Sequence, residues 1–150
     1  MKIAIGSDEA AYEMKQAIRA TLQQQGHEVV DFGTHEGAPV LYPDIGVALA
    51  EAVAQGQAER GLLFCGTGIG MAISANKVPG IRAAQAHDTY SAERASKSND
   101  AQIITIGARV VGLELAKAIV QAYLSSRFEP RSQPKLDALA AHEQRLHAPR

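Results

Sequence analysis

Short apolar runs alternate along the chain with longer segments in which apolar residues recur every three or four positions. Continuous runs of this length are typical of buried strands, whereas the longer period is typical of helices. Five strands are predicted, over residues 2–6, 27–32, 62–65, 81–86 and 102–107.

Glycine and proline mark where several of the intervening helices begin or end. Gly26 ends the first predicted helix, and Pro43 stands at the start of the second after a loop at 33–44. Further helices are predicted from the glycine-rich turn to about residue 77, over 88–98 and over 113–124.

Strands and helices that alternate in this way are typical of βαβ units and of a mainly parallel sheet between helices. The sequence therefore predicts one α/β domain over residues 1–150, a three-layer αβα sandwich with a five-stranded, mainly parallel sheet. From about residue 128 to 150 the pattern changes to a basic tail and a helix with a partial leucine stripe. We expect this C-terminal helix to pack on a neighbouring subunit.

Composition and charge limit which classes of partner and which cellular compartment we expect. Fifteen basic and 16 acidic residues give a formal net charge of -1, which does not favour nucleic acid or a membrane as a partner. A single cysteine cannot form an intramolecular disulfide, and neither a signal-peptide pattern nor a membrane-length apolar run is present. The histidines lack metal-ligand spacing. We therefore expect a cytoplasmic protein without a bound metal.

The stretch at 61–76, GLLFCGTGIGMAISAN, carries the strongest chemical signal. A predicted strand ends at Cys65, and a glycine-rich turn then leads into a helix, an arrangement whose free backbone N–H groups bind anions. A cysteine in such a place favours the thiolate, the reactive form of the residue. Two alternatives are a cysteine that is only a small buried apolar residue, and half of a dinucleotide fingerprint in GTGIG.

Other polar residues also follow predicted strands. Asp8, His87 and Arg109 do so, and ligands of parallel sheets bind at the carboxyl ends of the strands. We expect them to converge with Cys65 on one edge. Asp8 could instead only cap a helix, and His87 could be an ordinary loop histidine.

Motifs over nearly the whole chain resemble the type B ribose-5-phosphate isomerase family, which includes galactose-6-phosphate isomerase subunits. They are KIAIGSD, Tyr42-Pro43, CGTGIG, SANKVPGIRAA, TYSAERA, Ser98-Asn99-Asp100 and GARVVG, in that order. The resemblance implies a Rossmann-like fold and a homodimer or homotetramer with active sites at the subunit interface. It also implies interconversion of small phosphorylated aldoses and ketoses without a cofactor.

The resemblance also implies roles for individual residues. Cys65 matches the catalytic base of one branch of the family, and Met71 stands where other members have a glutamate. The catalytic set is completed by Thr67 and Asp8. Implied substrate-binding positions are Glu9, Tyr42, Gly66, Gly68, Ile69, Gly70, His87, Ser98, Asn99, Arg109, Arg131 and Lys135. Of these, Arg131 and Lys135 would come from the neighbouring subunit, although in isolation they could form only a solvated basic face.

The implied reaction moves a proton between C1 and C2 through a cis-enediolate, which needs a base, oxyanion donors and a proton carrier. Cys65 would be the base and the glycine-loop amides the donors. Asp8 or Thr67 would carry the proton between the two oxygens. Basic residues would hold the phosphate and so position the reacting end.

Two positions depart from the family pattern. Glu9 replaces a histidine, and Ser98 replaces the histidine that opens the furanose ring. Serine cannot act as a general acid near neutral pH. Either His87 replaces it, or activity on ribose 5-phosphate is poor, or the substrate has no ring. A tetrose 4-phosphate cannot close a furanose, and the segment at 87–110 also resembles members that isomerise erythrulose 4-phosphate.

The sequence thus favours a tetrose 4-phosphate isomerase. The alternatives are a ribose 5-phosphate isomerase that tolerates Ser98, and a non-catalytic phosphosugar-binding protein. The second alternative would keep the anion loop and the basic residues but would have no use for a reactive thiol.

Overall fold

Five parallel strands form one sheet in the order β2-β1-β3-β5-β4. The strands are β1 Lys2–Ser7, β2 Glu28–Asp31, β3 Arg60–Cys65, β4 Ala83–Gln85 and β5 Ile103–Gly107. The structure is a computed structural model, and it describes residues 1–147. β3 lies at the centre, paired with β1 on one side and β5 on the other.

Five of the six helices in residues 1–147 cover the two faces of this sheet, and the C-terminal helix contributes no residue to either buried apolar cluster. The six helices are α1 Tyr12–Gln24, α2 Tyr42–Ala54, α3 Ile69–Ala75, α4 Thr89–Lys97, α5 Leu113–Leu124 and α6 Gln133–His147, with 3-10 turns at Glu9–Ala11 and Pro130–Ser132. One apolar cluster joins the sheet to α1, α4 and α5, and a second joins it to α2 and α3. The predicted αβα sandwich with a five-stranded sheet is confirmed. Within residues 1–147, no helix combines the length and apolar character needed to cross a membrane.

The two edge strands are shorter than the apolar pattern predicts. β4 pairs with β5 over only three residues, and β2 pairs with β1 over four. Ile81, predicted to begin β4, instead closes a turn with the carbonyl of Val78. An edge strand has a hydrogen-bonding partner on one side only, so it ends where that ladder ends, whatever its apolar sequence.

Helix α6 packs only partly on its own chain. Leu136 is buried, whereas Leu139 and Leu146 are 53% and 65% exposed. The Glu143 carboxylate accepts the backbone N–H of Gly80 at 3.1 Å, which ties the helix to the turn before β4. Much of the predicted leucine stripe is thus uncovered in the single chain. Residues 148–150 of the predicted tail lie outside the described residues.

A buried ion pair ties α1 to the end of β2. Lys15 is fully buried, and its Nζ donates to the Asp31 carboxylate at 2.8 Å and to the Thr34 carbonyl at 2.6 Å. Asp31 also contacts Arg19 at 3.1 Å and accepts the backbone N–H of Gly33. These bonds fix the start of the loop that leads to α2, and therefore the approach of α2 to the carboxyl edge of the sheet.

We predict that Lys15→Met lowers the free energy of unfolding by about 3 kcal/mol, because it leaves the buried Asp31 carboxylate without its main partner. Arg19→Met is the matched control: Arg19 contacts the same carboxylate but is 36% exposed, so its loss should cost less than about 1 kcal/mol. Urea unfolding of both variants measures the difference. Equal losses for the two variants would contradict this account.

Candidate active site

A cavity of about 340 Å³ opens at the carboxyl ends of the central strands. Its lining combines side chains that follow β1 and β3 with the first turns of α2 and α3: Asp8, Tyr42, Cys65, Gly66, Thr67, Ile69, Gly70 and Ile73. The parallel register pairs Ser7 with Phe64, and the N–H of Asp8 donates to the Phe64 carbonyl at 3.2 Å. Strand pairing therefore brings Asp8 beside Cys65, although 57 positions separate them along the chain.

The Cys65 sulfur is held at the base of this cavity. The residue is 5% exposed, and its Sγ accepts the backbone N–H of Gly68 at 3.1 Å. Gly68 has φ +78°, and a Cβ there would lie 3.1 Å from the backbone of Ile106. Thr105 Oγ1 donates to the Gly68 carbonyl at 2.7 Å. The turn is thus clamped onto β5 in a conformation that glycine adopts without strain.

The backbone N–H groups after Gly68 belong to the end of the glycine turn and to the first turn of α3. The N–H of Ile69 donates to Thr67 Oγ1 at 3.2 Å. Gly70 and Met71 follow in the first turn of α3, where N–H groups have no intrahelical partner. A Cβ at Gly70 would collide with the Tyr42 ring, so the absence of a side chain lets that ring lie against the backbone. Met71 itself is fully buried in the apolar cluster.

Asp8 both caps a turn and faces the cavity. Its carboxylate accepts the backbone N–H of Ala11 at 3.1 Å, as the alternative prediction of a capping role requires. Burial raises the pKa of Asp8 above its ordinary value, and the hydrogen bond from the Ala11 N–H, with a smaller effect of the Arg109 charge, opposes this only in part. The Arg109 guanidinium lies against Gly66. The backbone N–H of Arg109 also donates to the Gly66 carbonyl at 3.0 Å. The predicted convergence of these residues at one edge is therefore seen.

A second cavity, of about 470 Å³, is lined by Arg131 and Lys135, the other two basic residues of the predicted substrate site. Its lining shares no residue with the first cavity: Arg94, Ser98, Asn99, Arg131, Ser132 and Lys135. The single chain thus separates the predicted substrate-binding residues into two groups. Sequence reasoning missed Arg94 and Ser132. The available signal for Arg94 was its position four residues before Ser98, which places both on one face of a helix.

Four predicted substrate-binding residues line neither cavity: Glu9, Gly68, His87 and Arg109. The Glu9 carboxylate accepts the backbone N–H of Val40 at 3.2 Å. His87 Nε2 accepts the backbone N–H of Gly107 at 2.9 Å, which ties the ring to the end of β5. Among residues 1–147, no group of three His, Cys, Asp or Glu side chains could hold a metal ion.

A thiol, a carboxylate and free backbone N–H groups around one cavity are the groups that an enzyme needs to move a proton on a small substrate. The separate basic cavity suits an anionic group such as phosphate. Fold and site together therefore define an α/β enzyme for a small phosphorylated molecule.

Comparison with known proteins shows that the chain belongs to the ribose/galactose isomerase family, whose model matches residues 3–139. A D-erythrulose-4-phosphate isomerase from Pectobacterium atrosepticum is 52% identical over 145 residues, 95% of each chain. A ribose-5-P isomerase B from Listeria innocua is 52% identical over 146 residues, 97% of this chain and 99% of the relative.

A solved structure of ribose-5-phosphate isomerase B from Clostridium thermocellum superimposes with a TM-score of 0.95 at 46% identity, covering 97% of this chain and 99% of that one. These findings confirm the predicted family. The chain is a sugar-phosphate aldose–ketose isomerase, and the non-catalytic alternative loses its support.

We predict that Asp8→Asn lowers kcat about 100-fold, because the amide cannot carry a proton between substrate oxygens.

The same variant tests the raised pKa of Asp8. Because this pKa is raised in the folded protein, the native state binds more protons than the unfolded state just above pH 3.8, and the wild type loses stability as pH rises through that window. The Asp8→Asn variant lacks this loss and should melt no lower than the wild type at pH 7.

Asp8→Ala is the control, since it also removes the acceptor for Ala11 and should cost about 1 kcal/mol. Thermal unfolding at pH 3 and pH 7, together with steady-state kinetics, separates the two effects. An Asp8→Asn variant with wild-type kcat would show that the carboxylate carries no proton.

Proposed function

We propose that this isomerase interconverts D-erythrulose 4-phosphate and D-erythrose 4-phosphate. The observation that carries the proposal is Ser98 in the basic cavity, where the family pattern has the ring-opening histidine. The Ser98 hydroxyl accepts Arg94 Nε at 2.8 Å and is too weak an acid to protonate a ring oxygen near neutral pH. A four-carbon sugar whose O4 carries the phosphate has no furanose to open.

The placement of His87 supports the same substrate. Its Nε2 is occupied by the Gly107 N–H, and the residue lines neither cavity. A histidine held in this way is a poor replacement for the missing ring-opening acid. The 52% identical relative named as a D-erythrulose-4-phosphate isomerase also supports a tetrose.

D-ribose 5-phosphate is the second candidate. The ribose-5-P isomerase B relative from Listeria innocua is equally similar, at 52% identity. The two substrates differ by one carbon and by the need to open a ring, so a direct comparison of turnover separates them.

The residues of the first cavity account for the chemical steps. The Cys65 thiolate removes a proton from C1 of the ketose, the electron pair forms the C1–C2 double bond, and the carbonyl oxygen becomes the enediolate oxygen. Backbone N–H groups of the glycine turn stabilise that oxygen. Asp8 or Thr67 moves a proton between the two oxygens, and Cys65 returns its proton to C2 to give the aldose.

The phosphate is bound by Arg109 and by the basic cavity of a neighbouring subunit, which supplies Ser98, Asn99, Arg131 and Lys135. Two features support an active site shared in a homodimer or homotetramer. The two sets of residues line separate cavities in one chain. At the thiol cavity, Ile69 and Ile73 are 53% and 57% exposed, an apolar rim suited to burial against a partner.

We predict that the purified protein converts D-erythrulose 4-phosphate and leaves D-ribose 5-phosphate essentially unchanged, and that Cys65→Ala abolishes the conversion. NMR progress curves with both substrates measure this directly. Efficient turnover of ribose 5-phosphate would overturn the tetrose assignment and would require another ring-opening acid.

A shared active site predicts complementation between inactive variants. Cys65→Ala and Arg131→Met should each be inactive alone, yet a refolded equimolar mixture should recover about a quarter of wild-type activity, because half of random dimers contain one intact site. Mixing Cys65→Ala with Asp8→Ala is the control and should recover nothing, since both residues lie in one cavity of one chain. Recovery in the control alone, or in neither mixture, would contradict the shared site.

A further inference from the structure

The basic cavity is built where the C-terminal end of α4 meets the segment that leads into α6. The backbone N–H of Glu129 donates to the Lys97 carbonyl at 2.9 Å, and Ser96 Oγ donates to the Ser126 carbonyl at 2.9 Å. These bonds hold the start of the tail against the last turn of α4. Side chains from both segments therefore line one cavity.

Arg94 lies at the centre of a polar network in that cavity. Its Nε donates to Ser98 Oγ at 2.8 Å, and its Nη2 lies 3.0 Å from Glu129 Oε1. The same carboxylate oxygen is 3.5 Å from Arg131 Nη2. The Arg94 side chain is 26% exposed, against 72% for Arg131. Arg94 is therefore the inner and better fixed of the two guanidinium groups.

The charges and donors of this cavity suit a dianion. Three cationic side chains line this cavity, those of Arg94, Arg131 and Lys135, and the Glu129 carboxylate pairs with the first two. A planar guanidinium presents several N–H donors, of which Ser98 accepts only one on Arg94. Because Ser98 Oγ accepts from Arg94, its own O–H proton points to a different acceptor.

We infer that Arg94 is a phosphate-binding residue of this isomerase, held in position by Ser98 and Glu129. This role rests on the proposed function, in which the substrate phosphate binds in the basic cavity. Glu129 orients Arg94 and Arg131 in the free protein, and an entering phosphoryl group pairs with the donors that remain. Arg94 is thus tied to the presence of serine at position 98, since the hydroxyl is its hydrogen-bond acceptor.

Binding of inorganic phosphate to the full-length chain tests this inference by calorimetry at low ionic strength. Arg94→Met should weaken binding at least about tenfold, because a charge-assisted contact is lost. Arg94→Lys keeps the charge but loses the planar guanidinium and its Nε–H donor to Ser98, and should weaken binding about threefold. Arg127→Met is the matched control. It removes an exposed arginine outside the cavity lining and should stay within about twofold of the wild type.

Wild-type phosphate affinity in Arg94→Met would overturn the inference, as would an equal loss in Arg127→Met, which would show only a general charge effect. If Arg94→Met does not fold by circular dichroism, Arg94→Lys decides, and unchanged affinity there overturns the inference. Calorimetry needs no turnover, so the phosphate-binding result is valid even if the protein converts neither of the two sugar phosphates. For whichever sugar phosphate is converted, Arg94→Met should raise KM more than it lowers kcat.

Discussion

The active site depends on the parallel pairing of β3 with both of its neighbours. That pairing ends β1, β3 and β5 at one edge, so Asp8, Cys65 and Arg109 emerge side by side. The glycine turn after Cys65 then packs directly on the backbone of β5, and a Cβ at Gly107 would overlap Thr67. With the turn clamped in this way, the Gly68 N–H is aimed at the sulfur without any further rearrangement. The turn thus holds one backbone donor at the sulfur before any substrate binds.

Charge and apolar surface are divided between the two cavities. The thiol cavity has an apolar rim that includes Ile69 and Ile73, whereas the basic cavity carries Arg94, Arg131 and Lys135. A base that must take a proton from carbon benefits from a site that excludes water, and a phosphate benefits from several cations. Two cavities on separate parts of the fold, brought together between subunits, would satisfy both requirements.

Much of the fold was predictable because each central strand is an apolar run that ends in a polar or glycine residue. The edge strands were predicted too long, since pairing on a single side, rather than the apolar pattern, limits β2 and β4. At the site, Cys65 and Asp8 were predicted from their positions after strands, whereas Thr67 was predicted from the family resemblance. Arg94 was missed because its contacts with Ser98 and Glu129 form only in the folded chain, and Glu129 lies 35 positions away along the sequence.

The sequence by itself determined the class of fold and the family, because these follow from local periodicity and from motifs of adjacent residues. It also determined that Ser98 cannot act as the ring-opening acid, since this follows from the side chain alone. Only the tertiary structure decided which residues share a cavity. That depends on strand order and on the path of the tail, which bring distant residues together through backbone pairing and packing that no local pattern encodes.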